Sequence, residues 1–315
     1  MALTFQSLYT NYTDHTSDTN AGNITIGKAR INDTYKELLG MHDWYFAEKT
    51  ATFTPTASDY TYDLSYDFGR MVAVTVKVGD AHYSLTEAAS HDEWQRIQMY
   101  RDTSTSDYPT HYHITGDELQ IYPVPSSTAA SATGTMYYIK RVVDMTADDY
   151  TTGTVTLTNA STTVTGSGTT FTAAMVGRSI KGTVDARWYE LASFTSTTVM
   201  ATKKAFQGTT DSSLAYTIGE VPIIPEDYHN LLWYQPVATY WMMKKETDQA
   251  AYYQSLYERG KKEFFNAYSK RSRIQILNPL GGRYGRPIPT AYGANRWGEP
   301  TVAWGGSEEF WGGSN

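Results

Sequence analysis

The chain contains no cysteine. This removes disulfides, thiolate nucleophiles, iron–sulfur clusters and Cys-ligated zinc from the available chemistry. Charged residues are sparse at 19%, against ~25% in an average soluble chain. Lys and Arg (26) are outnumbered by Asp and Glu (33), for a net charge of −7. Non-specific binding to a nucleic-acid backbone needs clustered cations, so that class is disfavoured. The most apolar run, Leu231 to Met243, is interrupted by Gln235 and Pro236 and is too short to cross a bilayer. The opening MALTFQSLYT lacks the basic and apolar regions of a secretory signal, so synthesis in a cytoplasm is expected. There is no nucleophile elbow, no Gly-rich loop ending in Gly-Lys-Ser/Thr, and no dinucleotide fingerprint after a strand.

Aromatics with a polar handle are abundant: 26 Tyr and 8 Trp. Such side chains suit interfaces that are dry on one side and wet on the other. A length of 315 residues accommodates about two domains. Helical signals open the chain. Met1 to Tyr9 predicts a short helix, followed by the polar stretch Asn11 to Asn23. A longer helix is expected from Asn23 to Met41, with Asn23 as cap, Gly40 as stop, and Ile31, Tyr35, Leu38 and Leu39 on one face. Trp44, Tyr45 and Phe46 are expected to plug its end into a core. Strand signals then run from Thr50 to Val143, the strongest being Met71 to Val78. Gly79-Asp80 and Gly116-Asp117 mark tight turns, and a helix is expected over Ser84 to Arg101.

Gly153 to Gly219 is rich in Thr, Ser and Gly, yet alternates apolar residues such as Val155, Leu157, Val164 and Phe171. This predicts a small all-β module. Pro225, followed by Glu226 and Asp227, reads as the start of a helix reaching about Lys245 and kinked at Pro236. A second helix is expected over Asp248 to Lys270, with Tyr252, Leu256, Gly260 and Phe264 stepping by four and Tyr257, Ala267 and Tyr268 on the same side. The two would form an antiparallel hairpin through Glu246-Thr247. The last segment, Asn278 to Asn315, is rich in Gly and Pro without periodicity but carries six large aromatics. Aromatics in a stretch unable to build its own core imply an arm that orders against a partner.

Candidate chemistry is thin. His111 and His113, two apart on a strand, are the best metal candidate, with Asp117 or His91, Asp92 and Glu93 as further ligands. A polar sheet face explains them more simply. The adjacent carboxylates Asp148-Asp149, Glu226-Asp227 and Glu308-Glu309 do not face each other and so do not make catalytic pairs. Gly182 to Arg187 reads as a hairpin tip. The expectation is therefore no catalytic residue, no metal and no cofactor.

The order of features resembles phage head-to-tail adaptor proteins, including the tail tubular protein A group. Ile31 to Phe46 resembles the family's opening helix and aromatic plug. Tyr62-Asp63-Leu64 with Asp67-Phe68-Gly69-Arg70-Met71 resembles its Y-x-L-P-x-D-F-x-R-I stretch, with Ser65-Tyr66 where the proline would stand. Pro109 to Ile114, Leu119 to Pro125 and Met136 to Val143 resemble the strands that follow, and Pro225 to His229 the start of the C-terminal helical hairpin. The Val164 to Phe171 and Met175 to Arg178 stretches look like a small β domain that recurs in virion proteins.

The resemblance implies an α+β fold with a helical bundle core and a β-rich segment (1–152 and 220–277), an inserted sandwich- or barrel-like β domain (153–219), and an extended C-terminal arm (278–315). It implies a structural virion protein made in the host cytoplasm and placed at the head-tail interface. There it would form a dodecameric ring between the portal protein and a tail nozzle or stopper protein. Double-stranded DNA would pass through without sequence-specific binding, and tail fibres would be candidate partners of the insert. The arm would dock on the portal through Tyr284, Arg286, Tyr292, Arg296, Trp297, Trp304, Phe310 and Trp311. The alternatives are a tail-associated receptor or glycan-binding protein and an adaptor with cell-wall hydrolase activity.

Overall fold

The computed structural model describes residues 2–99, 109–126, 132–185 and 187–269. The chain opens with helices α1 (Phe5–Thr16) and α2 (Ala21–Gly40). The α1 helix continues through the polar stretch expected to end it. Phe5, Leu8 and Tyr12 recur at helical spacing and are buried, and Thr4 caps the first turn by accepting from the Ser7 amide. The α2 cap is Asn20, which accepts from the Gly22 amide, three residues ahead of the expected Asn23. Gly27 packs on the Tyr12 ring so closely that a Cβ there would collide with it. Glycine is what allows α1 and α2 to approach at this point.

Seven strands follow: β1 (Glu48–Phe53), β2 (Thr61–Asp63), β3 (Phe68–Val78), β4 (Ala81–Glu87), β5 (His111–Thr115), β6 (Glu118–Tyr122) and β7 (Thr133–Lys140). They form one sheet in the order β1-β7-β3-β4-β5-β6-β2. All pairs are antiparallel except β4–β5, whose parallel crossover carries α3 (His91–Met99). The helix expected over Ser84 to Arg101 is thus divided. Its first part stays in the sheet, and the helix starts only after Ser90, whose hydroxyl accepts from the Glu93 amide while the Glu93 carboxylate accepts from Ala89. Gly116 sits at φ +62 in the tight β5–β6 turn, a conformation that favours glycine. Val74, Val76, Leu119, Ile121, Met136 and Tyr138 form the core of this sheet. Its two edges curl toward each other: Phe53 on β1 and Tyr62 on β2 have ring centroids 4.6 Å apart.

A second sheet is built from β8 (Thr154–Leu157), β9 (Thr163–Ser167), β10 (Ser179–Gly182), β11 (Tyr189–Ser196), β12 (Val199–Thr202), β13 (Asp211–Leu214) and β14 (Tyr216–Gly219). Its order is β13-β8-β9-β12-β11-β10-β14, and every pair is antiparallel. The two edge strands are consecutive in sequence. Leu214 pairs with Val155 on one side and Tyr216 with Gly182 on the other, with only Ala215 between them. One residue can join opposite edges only if the sheet is curled on itself. Its own core contains Val155, Val164, Phe171, Leu191, Met200 and Ile218.

The chain then makes a 3₁₀ turn at Glu226–Tyr228 and helices α4 (Leu231–Met243) and α5 (Thr247–Tyr268). The helix expected to begin at Pro225 therefore begins six residues later, and Pro236 lies buried inside α4. The buried face of α5 carries Ala250, Tyr253, Tyr257 and Phe264, whereas Tyr252, expected on that face, is exposed.

These observations correct one expectation. A helical bundle core is not what organises the molecule. The described residues fold into two curled seven-stranded sheets accompanied by five α-helices. The mixture of α and β holds broadly. The long helices announce themselves through 3.6-residue periodicity, whereas short Thr-rich strands do not. The sequence signal therefore overstates the helical share.

Candidate functional site

Three stretches of chain meet at one junction: Leu3 to Gln6, Met145 to Tyr150, and Ile218 to His229. The Phe5 amide donates to the Glu220 carbonyl at 2.8 Å. Thr4 donates its hydroxyl to Asp149 at 2.8 Å, and the Asp149 amide donates to Gln6 at 2.8 Å. One Glu220 carboxylate oxygen accepts from the amides of Thr146 and Ala147 at 2.6 and 3.0 Å. Tyr150 and Ile218 bridge antiparallel, so the chain enters and leaves the second sheet side by side.

Two buried side chains lock the junction. Asn32, in the middle of α2, donates to the Met145 carbonyl at 2.9 Å and accepts from the Met145 amide at 3.0 Å. Its side chain thus replaces a neighbouring strand. Asn32→Leu is expected to destabilise the protein by about 2–4 kcal/mol, because both Met145 backbone groups would be left unpaired. Urea unfolding of the variant, with an unchanged midpoint counting against this role, measures it. His229 accepts from the Leu3 amide at Nδ1 (2.9 Å) and donates from Nε2 to the Ile224 carbonyl (2.8 Å). That pattern requires the neutral ring, and burial holds its pKa below the ordinary histidine value. Tyr35, which accepts from the Ile223 amide, is pushed up to about 12 by burial.

A second node holds the first sheet. The Asp67 side chain is 1% exposed. It accepts from Lys49 Nζ at 2.6 Å, Ser65 at 2.7 Å and the Tyr138 hydroxyl at 2.8 Å. Burial alone would raise its pKa, but these three donors outweigh burial and hold it at about 2. A third node is Trp44, fully buried, with its indole donating to the Leu38 carbonyl at 3.0 Å. Its ring lies 4.5 Å from Phe264 and 5.7 Å from Phe46. The aromatic plug expected after α2 is thus carried mainly by Trp44, since Tyr45 is half exposed.

Between the two sheets opens a cleft of about 530 Å³. Lys49 and Lys140 of the first sheet, Arg178 and Lys203 of the second, and Glu190 and Glu220 all line it. Lys140 and Arg178 fall within motifs noted in the sequence, but nothing there marked them as neighbours, because they are far apart in the chain.

The motif residues suspected of chemistry serve other purposes. His113 lies against His91 and Trp94, each ring centroid 5.6 Å away, and no group of three potential metal ligands gathers among the described residues. Asp148 pairs with Lys28 at 2.8 Å and accepts from Tyr9. In the tip expected at Gly182 to Arg187, Asp185 accepts from Tyr189 at 2.6 Å and from the Arg187 amide at 3.1 Å. The arm residues Tyr284, Arg286, Tyr292, Arg296, Trp297, Trp304, Phe310 and Trp311 lie outside the described residues. No described helix is long and apolar enough to cross a membrane.

A family of phage head-to-tail adaptors accounts for this arrangement without catalytic chemistry. The model of the SU10 adaptor protein family matches residues 4–196, more than half of the chain, and the protein belongs to that family. Its role is accordingly that of a structural adaptor of a bacteriophage particle. The matched stretch takes in the first sheet with α1 and α2 and runs to the last residue of β11. No curated protein matches the chain.

Proposed function

We propose that this adaptor assembles as a dodecameric ring at the head-tail interface of the virion, between the portal protein and a tail nozzle or stopper protein, after synthesis in the host cytoplasm. Membership of the adaptor family carries this reading. The narrower kinship with the tail tubular protein A group belongs to the same proposal. A closed ring is the natural outcome of a repeated head-to-tail contact. Twelve copies at −7 each total −84. A negative lumen would let double-stranded DNA slide without adhering.

Within each subunit, residues 1–152 and 220–277 form the adaptor core and 153–219 form an insert. Support for the insert comes from the adjacent entry and exit at Tyr150 and Ile218 and from the separate core of the second sheet. Such a module on the outside of a ring would suit docking of tail fibres. Residues 278–315 are the arm that meets the portal. Their aromatic and arginine composition matches the anchors that dominate protein interfaces.

Quantitative mass spectrometry of purified virions tests the ring, with one adaptor per portal chain expected and any other ratio contradicting it. Deleting 278–315 should leave a folded subunit that no longer joins the portal. Normal attachment by the truncated protein would remove the arm from the mechanism.

A further inference from the structure

The cleft between the sheets is lined by four acidic and four basic side chains, which are not all paired with one another. Its acids are already committed: Asp144 pairs with Lys36 at 2.6 Å, Glu190 with Lys203 at 3.1 Å, Glu220 holds two backbone amides, and Glu48 is likewise engaged. Among the cations, Lys49 is taken by Asp67 and Lys203 by Glu190. The side chains of Lys140 and Arg178 make no hydrogen bond or close ion pair with a described residue, and the Arg178 Nε–H is buried without an acceptor. One stands at the end of β7 in the first sheet, the other just before β10 in the second. Burial, then the neighbouring Lys49, keep Lys140 below the ordinary lysine range against the opposing pull of Asp67 and Glu190. Around them the lining includes Tyr66 (84% exposed), Val143 (52%) and Val176 (41%).

We propose that this cleft is a docking site for a short acidic, aromatic-bearing peptide segment of a partner protein. Its carboxylates lie between Lys140 and Arg178, and its apolar side chains rest on Tyr66, Val143 and Val176. Charge complementarity selects this occupant. A continuous polyanion such as a nucleic-acid backbone would also meet Glu48, Asp144, Glu190 and Glu220 on the same walls. A peptide can place one or two carboxylates where the free cations are and nothing charged elsewhere. A buried guanidinium Nε–H without an acceptor is costly, and a carboxylate supplies a charge-assisted bond to it. By bridging the two sheets, the occupant would also fix them against each other.

The probe is a dye-labelled synthetic peptide, acetyl-Phe-Glu-Glu-Phe, titrated with the full-length protein and read by fluorescence anisotropy at low salt. Saturable binding is expected. Replacing both Glu by Gln should weaken it at least about tenfold, as loss of charge-assisted bonds predicts. Lys140→Met and Arg178→Met should each do the same, whereas Lys77→Met, outside the cleft, should not. Because the two cleft variants sit near core residues, Tyr66→Ser serves as a second test. This side chain is almost fully exposed, so the fold should be retained while affinity falls a few-fold. Absence of saturable binding, equal affinity of the Glu and Gln peptides, or insensitivity to Lys140→Met, Arg178→Met and Tyr66→Ser together would overturn the proposal. So would displacement of the peptide by a short DNA duplex at equal concentration, which would make the cleft a nucleic-acid site.

Discussion

Replacing Asp67 by alanine is expected to destabilise the protein by about 3–5 kcal/mol at neutral pH, the usual cost of removing one partner from a buried charged cluster. The side chain is 1% exposed and receives hydrogen bonds from Lys49, Ser65 and Tyr138. Without it, the Lys49 ammonium loses its anion and the Tyr138 hydroxyl loses its carboxylate acceptor. The same residue predicts a pH dependence. Its carboxyl is held at about 2 in the folded protein, below the ordinary aspartate value near 3.9. Its stabilising contribution is therefore complete above pH ~4 and is lost as the pH falls toward 2, an effect of roughly 2 kcal/mol. Urea melts of the wild type and the alanine variant at pH 6 and pH 2.5 give the test. The gap between them should narrow at the lower pH, and a gap independent of pH would mean that Asp67 acts through packing alone.

The second large effect is expected at Trp44. Trp44→Ala should cost about 3–5 kcal/mol through the cavity it leaves and the indole bond it removes. Trp44, just after α2, packs on α5 through Phe264, itself fully buried, beside the Glu37–Lys261 ion pair that also joins α2 to α5. Phe264→Leu alone should cost less, and the double variant should lose less than the two single losses combined, because both remove one contact. Strict additivity in thermal or urea unfolding would argue that the two rings stabilise separate parts of the molecule.

Much of this architecture was legible in the amino-acid sequence, for reasons that differ by element. The α2 and α5 helices were visible because long apolar stripes recur with helical period. The hairpins at Gly79 and Gly116 were visible because glycine at a tight turn carries a backbone requirement. Strands β3 and β8 were visible through alternation. Less legible were β13 and β14: four residues each, Ser- and Thr-bearing, they look like loop until they are seen to close the two edges of one sheet. The buried face of α5 was read rightly at Tyr257 and Phe264 but wrongly at Tyr252, because Tyr252 and Tyr253 are chemically alike and only packing against α1 and α4 decides which one is buried. His15 and Trp233 lie beside Tyr253 and not Tyr252. The motif Asp67 to Met71 was recognisable as a pattern, but that Asp67 gathers Lys49 and Tyr138 required the register of β1, β3 and β7.

The sequence by itself determined the chemical class of the protein. Its abundant tyrosine and tryptophan suit interfaces, and the order of its motifs led to the adaptor family. Periodicity is a local property, so helices, turns and the better strands followed from it. The tertiary structure alone decided that the strands gather into two curled sheets, that Asn32 clasps Met145, and that Lys140 and Arg178 stand in one cleft. Each of these depends on residues tens to more than a hundred positions apart. Such pairings are set by sheet register and long-range packing, which leave no periodic trace in a single chain.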